Sequence, residues 1–80
     1  MTASQRVFTL EVGRETGALE RVLGVARRRG LALERFAAVP ADELTWKVRI
    51  EAAAPDAEAH LAVAQFNALI DVKRAVMEEI

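Results

Sequence analysis

The chain has no cysteine, one histidine and one serine in 80 residues. Without cysteine, disulfides and thiolate metal sites are excluded, and a cytoplasmic address is the natural expectation. The lone His60 cannot build a metal site with no cysteine partners, and its place on the exposed side of the second helix gives it no ligand to hold. Ser4 lies in an opening stretch, Met1 to Gln5, expected to be a loose end, so no nucleophile stands beside a base. The acidic residues are dispersed rather than converging as a catalytic pair, which argues against an enzyme. No apolar run approaches the roughly 20 residues of a membrane span, and the opening MTASQR carries no signal-peptide pattern. Charge of one sign is missing too. Eleven basic against twelve acidic residues leave a net charge of −1, with no long-range field to draw nucleic acid or an anionic membrane.

What is present is a small globular chain, 52% hydrophobic and 29% charged. A chain this size buries only about 60% of its unfolded surface, so a second chain would add needed burial. The stretch from Glu11 to Gly30 organises the rest. Arg6 to Val12 alternates, with Phe8, Leu10 and Val12 to one face and Val7, Thr9 and Glu11 to the other, the mark of a strand with one buried face. A loop bearing Gly13 and Gly17 follows, and then a helix from about Gly17 to Arg29. Leu19, Val22, Leu23 and Ala26 make its apolar stripe. Thr16 is its expected N-cap, Glu20 suits the dipole in the first turn, Arg27, Arg28 and Arg29 suit it in the last, and Gly30 closes it. Such a glycine corner presents unpaired amides to an anion; equally, it is a common strand–turn–helix joint that binds nothing.

Leu31 to Val39 reads as an edge or bulged strand, because Leu33 and Phe36 fall out of phase. Pro40 to Glu43 is a turn. Leu44 to Glu51 is the clearest strand, with Leu44, Trp46, Val48 and Ile50 facing in and Thr45, Lys47, Arg49 and Glu51 facing out. Pro55 suits the first turn of a second helix, whose stripe is Ala59, Ala62, Val63, Phe66 and Ile70. Asp71 breaks it, and Val72 to Met77 is the last strand. The order βαββαβ predicts an α+β, ferredoxin-like plan: a four-stranded antiparallel sheet with both helices on one face. One domain spans residues 1–80. An RNA-binding version of this plan would carry aromatics on the exposed sheet face, whereas Phe8, Trp46 and Phe66 fall on expected core faces. Glu15 and Asp71, at loop–helix junctions, read as capping or solvated charges or as contacts for a partner.

RETGALERVLGVARRRG and AAAPDAEAHLAVAQFNALIDVKRAV resemble the two halves of an ACT domain, with QFNALIDV the most telling segment. Together they are similar to the small regulatory subunit of acetolactate synthase, in its short, isozyme II form. The likeness covers about Arg6 to Val76. It implies a non-catalytic activating subunit in branched-chain amino-acid biosynthesis. The thiamine diphosphate, magnesium and FAD would lie on the catalytic partner and no cofactor on this chain. It implies a homodimer through the second strand, with Leu31, Leu33, Phe36 and Ala38 at the edge and small residues Ala32, Ala37 and Ala38 suited to close pairing. It also implies an effector site at the dimer interface, formed by Gly13, Arg14, Glu15, Thr16, Gly17, Ala18 and Ala32. The chain departs from the valine-sensing pattern, in which polar amides, commonly Asn, occupy the positions of Arg14 and Ala32. The likeness is to the short form, so the further C-terminal domain of longer regulatory subunits is not expected. The other readings are a free-standing amino-acid sensor that dimerises around its ligand, and a ferredoxin-like dimer with a structural role only.

Overall fold

A computed structural model describes residues 4–79. The elements are β1 (Ser4–Gly13), α1 (Ala18–Arg28), β2 (Ala32–Pro40), β3 (Thr45–Ala54), α2 (Asp56–Ala68) and β4 (Val72–Glu79). They form a four-stranded antiparallel sheet in the order β2-β3-β1-β4, so β2 and β4 are its edges. Residues 1–3 of the expected loose end lie outside the described residues. Ser4 and Gln5 do not belong to a loose end, because they extend β1 and pair with Ala54 and Ala53.

Phe8, Leu10 and Val12 of β1 share the core with Val48, Ile50, Ala52 and Ala54 of β3 and with both helices. Ala59 and Ala62 are fully buried, and their small side chains let α2 lie close to the sheet. Phe66 then meets Phe8 edge to face, with ring centroids 5.8 Å apart and an interplanar angle of 72°, the arrangement the ring quadrupoles favour.

Several positions depart from the sequence pattern, each for a tertiary reason. The buried side of α1 is Ala18, Val22, Val25 and Ala26, while Leu19 and Leu23 are half-buried. The helix is thus turned so that Leu23 faces the β2 side. Leu44 was expected inside but is 74% exposed, because β3 starts one residue later and Leu44 belongs to the turn. Ile70 is 97% exposed, since α2 ends at Ala68 and the helical phase no longer applies. β3 runs three residues beyond the expected Glu51, with Ala52 and Ala54 facing the core. Val7 does sit on the outer face with Thr9 and Glu11, yet it is 2% exposed. It lies on a central strand between Glu51 and Glu78, whose aliphatic stems are placed to cover it. β2 is both an edge strand and irregular, with a register shift between Leu33 and Arg35.

Helix α1 ends in a Schellman motif. Gly30 has φ +71°, its amide donates to the Arg27 carbonyl at 3.1 Å, and the Leu31 amide donates to the Ala26 carbonyl at 3.1 Å. Leu31 is buried by this closure. It therefore packs under α1 and precedes β2, instead of standing on the strand edge where the resemblance put it.

Candidate functional site

The connections β1–α1, β2–β3 and α2–β4 converge at one end of the sheet, and the loop Gly13 to Ala18 is held there from both sides. The Gly13 amide donates to the Asp71 carbonyl at 2.7 Å, and the Arg14 amide donates to the Leu44 carbonyl at 3.1 Å. The Arg14 side chain donates to the Asp42 carbonyl at 3.0 Å, and its guanidinium carbon lies 4.5 Å from the Trp46 ring centroid, a cation–π contact. Trp46 is thus half-buried rather than fully core: it packs against the core and also carries Arg14.

Gly17, not Thr16, is the N-cap of α1. Its φ is +82°, with no side-chain cap bond, and the exposed Thr16 contributes only its carbonyl, to Arg21 at 3.2 Å. A non-glycine residue is strained at such a φ. Space matters here as well, because a Cβ on Gly17 would stand 3.0 Å from Arg21 Nη1. Glu15 is exposed and gives its carbonyl to the Ala18 amide at 3.1 Å, while Ala18 itself is buried.

Arg21 lies over this loop because Asp71 draws it there. Arg21 Nε donates to Asp71 Oδ2 at 2.5 Å, where Asp71 is buried and Arg21 half-exposed. That hydrogen bond, with the Asp71 charge, holds the Arg21 guanidinium above its ordinary pKa. The reading of Asp71 as a capping or solvated charge does not hold, because its carboxylate is buried and paired with Arg21 of the same chain. Across the turn, the Leu44 amide donates to Asp42 Oδ1 at 2.8 Å and holds the Asp42 carboxyl below the usual carboxylate range. Lys73 donates to the hydroxyl of the buried Thr45 at 2.6 Å.

Ala32 does not join this cluster within one chain. Gly13 pairs with Thr45 whereas Ala32 pairs with Ala53. Those positions are eight residues apart on β3, roughly 27 Å at about 3.4 Å per residue. Only a second chain could bring an Ala32 to the loop. Along β2 none of the nine residues is buried: Leu33 is exposed, and Phe36 and Ala38 are half-buried against the core. A groove of about 430 Å³ between α1 and the start of β2 is lined by Leu23, Gly24, Ala26, Leu31 and Leu33, with Glu20 and Arg27 at its rim. Among the described residues no group of three or more His, Cys, Asp or Glu could hold a metal, and no helix is long and apolar enough to cross a membrane. His60 is exposed and its ring lies against Asp56, four residues earlier.

A βαββαβ sheet with a glycine-capped first helix and one bare edge defines a small ferredoxin-like module. Residues 14–75 match the family model of the ACT domain. The chain belongs to the ACT domain family, whose members are regulatory, non-catalytic domains that often dimerise within enzymes. It is similar in fold to the ACT domain of GTP pyrophosphokinase from Chlorobium tepidum, with a TM-score of 0.84, 8% identity, and 96% of this chain and 100% of that one covered. The C-terminal domain of MgtC from Mycobacterium tuberculosis gives 0.81 at 10% identity, covering 99% and 89%. The regulatory subunit of aspartate kinase from Thermus thermophilus gives 0.60 at 14% identity, covering 96% and 51%. A comparison with curated protein sequences finds no match.

Proposed function

We propose that this ACT domain is the activating small subunit of acetolactate synthase, acting as a homodimer through β2 and carrying no catalysis itself. The observation that carries the reading is the contrast between its two surfaces. The two arginines at the Gly13–Ala18 loop are already engaged within the chain: Arg14 on Trp46 and Asp42, and Arg21, reaching over the loop from α1, on Asp71 and Thr16. The β2 edge and the adjoining Leu23–Leu33 groove are bare. A surface built in this way suits another chain better than a small solute. The choice of partner is supported by the sequence likeness of the two halves, with QFNALIDV inside the second. Thiamine diphosphate, magnesium and FAD belong to the catalytic partner in this reading. Binding raises activity only if it favours the competent conformation of that partner.

The test is reconstitution with the acetolactate synthase catalytic chain from the same source. A complex on gel filtration and increased acetolactate production are expected; no complex and no change refute the partner.

The second reading is a free-standing amino-acid sensor. It draws on the left-handed Gly17 at the positive end of α1 and on strand direction. β2 carries Pro40 toward the loop end and Ala32 toward the far end, so antiparallel pairing would bring the Ala32 of a second copy toward the loop. Calorimetry with branched-chain, aromatic and sulfur amino acids separates the two. Millimolar or tighter binding by the isolated domain favours the sensor.

A further inference from the structure

The two edges of the sheet are finished differently. At β4, Asn67 in the last turn of α2 turns its carboxamide onto Ala75. The Ala75 amide donates to Asn67 Oδ1 at 2.9 Å, and Asn67 Nδ2 donates to the Ala75 carbonyl at 3.0 Å. Nδ2 also donates to the Val63 carbonyl at 3.1 Å. Exchanging the amide oxygen and nitrogen would set donor against donor, so the network fixes the orientation. In an antiparallel strand the N–H and C=O of one residue point to the same side. The neighbour of β4 in the sheet is β1, and both backbone groups of Ala75 go to Asn67, so they face the open edge. Asn67 therefore stands where a residue of an added strand would pair.

At β2 the edge has no such cover. Among the described residues the polar side-chain contact of this strand is Gln5 to Glu34 at 2.7 Å, side chain to side chain. Past the irregularity at Glu34, Arg35 to Pro40 run in register with β3, leaving a regular free edge.

We infer that Asn67 closes the β4 edge, so that copies of this chain pair through β2 alone and assembly stops at two. The inference rests on the β2 dimer proposed above and adds the residue that limits it. One open edge per chain permits a two-fold β2–β2 contact, which uses up both edges. Two open edges would also permit β2 of one chain to pair with β4 of the next, a heterologous contact that does not close.

The experiment combines sedimentation velocity over a wide concentration range with residue-resolved amide exchange on wild type, Asn67→Ala, and the double variant Ala37→Lys/Val39→Lys. The lysines add like charge at two exposed positions of β2. Wild type levels off at two chains. Folded Asn67→Ala climbs to about twice that mass or more, and its Ala75 amide exchanges about tenfold faster. A folded Asn67→Ala protein that stops at two chains, or keeps the Ala75 amide protected, overturns the inference. The lysine variant tests the underlying dimer separately: it runs as one chain, and a dimer persisting there refutes pairing through β2. In that monomeric background the Ala75 amide stays protected, because Asn67 belongs to the same chain. Exchange there at the rate of an open strand edge would overturn the role of Asn67 even if Asn67→Ala does not fold.

Discussion

Alanine placed at Gly17 and at Gly30, one at a time, weighs the Arg21 contact against a matched backbone cost. Both glycines have positive φ, +82° and +71°. An L-residue in that region costs about 1–2 kcal/mol, offset by about 0.4–1 kcal/mol from the stiffer unfolded chain. The net is about 1 kcal/mol at either site, or roughly 4–8 °C in Tm for a domain of this size. The surroundings then separate the two. Nothing lies within 4 Å of a Cβ on Gly30, whereas one on Gly17 meets Arg21 Nη1 at 3.0 Å. Arg21 Nη1 must then give by a few tenths of an ångström, and its guanidinium is tethered by the buried Asp71 carboxylate and the Thr16 carbonyl, so the shift loosens the pairing of a buried charge. Gly17→Ala should therefore lower Tm by about twice the loss seen in Gly30→Ala, measured by circular dichroism on both variants in one buffer. In an Arg21→Ala background, Gly17→Ala should fall back to the cost of Gly30→Ala. Equal losses in the wild-type background would show that Arg21 does not constrain the loop, and the account of this corner would fail.

Phe66→Ala removes a fully buried ring packed on Phe8. It should cost about 3–5 kcal/mol, against a total stability of roughly 4–12 kcal/mol for a chain of this length, so its urea midpoint should fall by about a quarter or more. Leu44→Ser and Ile70→Ser, at positions 74% and 97% exposed, should stay within about 0.5 kcal/mol of wild type. Asp42 has a folded pKa below its ordinary 3.8 because it accepts the Leu44 amide. Its contribution is fully present above the ordinary value and is lost as pH falls through that value toward the folded pKa. Asp42→Asn should accordingly weaken the fall in stability between neutral pH and pH about 3, read from urea midpoints; an unchanged acid limb refutes the assignment. Arg14→Asn/Ala32→Asn introduces the amides of the valine-sensing pattern, and calorimetry should show tighter valine binding than in wild type if the site is an interface built from two chains.

The element order was legible because it depends on local pattern. Alternation in Phe8–Val12 and Trp46–Ile50 marks strands, and Gly17 and Gly30 bracket α1. The edge character of β2 showed in the same way, since Leu33 and Phe36 break phase where the register shifts. Periodicity failed at element ends. Leu44 and Ile70 are in phase with their neighbours, but the turn bonds Leu44 N–H to Asp42 and α2 stops at Ala68 before the phase reaches Ile70. Contacts across elements were not legible. Arg21 and Asp71 are fifty residues apart, and Asn67 looks like a polar residue flanking an apolar stripe until β4 is placed beside it. Two signals in the sequence pointed there: a lone acid between Ile70 and Val72, and an amide four residues after Val63.

The internal pairing of the loop bears directly on what this ACT domain can respond to. A ligand that needs Arg21 must first take it from Asp71, and one that needs Arg14 must lift it from Trp46 and Asp42. Each exchange replaces one satisfied polar contact with another, and a typical hydrogen bond nets only about 0.5–1.5 kcal/mol. A small solute making a few such exchanges would have little left to offset its own immobilisation. A second chain is not limited in that way, because β2 and the groove beside it gain backbone pairing and apolar burial without breaking a contact already made. The same stitching makes the loop a rigid part of the surface. Gly13 is tied to Asp71 and Arg14 to Leu44, so the three connections at this end are coupled. A partner docking on any of them meets a preformed shape and loses little entropy in ordering it. That is the physical case for a constitutive activator over a switch, and it places the burden of any effector response on the pairing of two chains rather than on the loop alone.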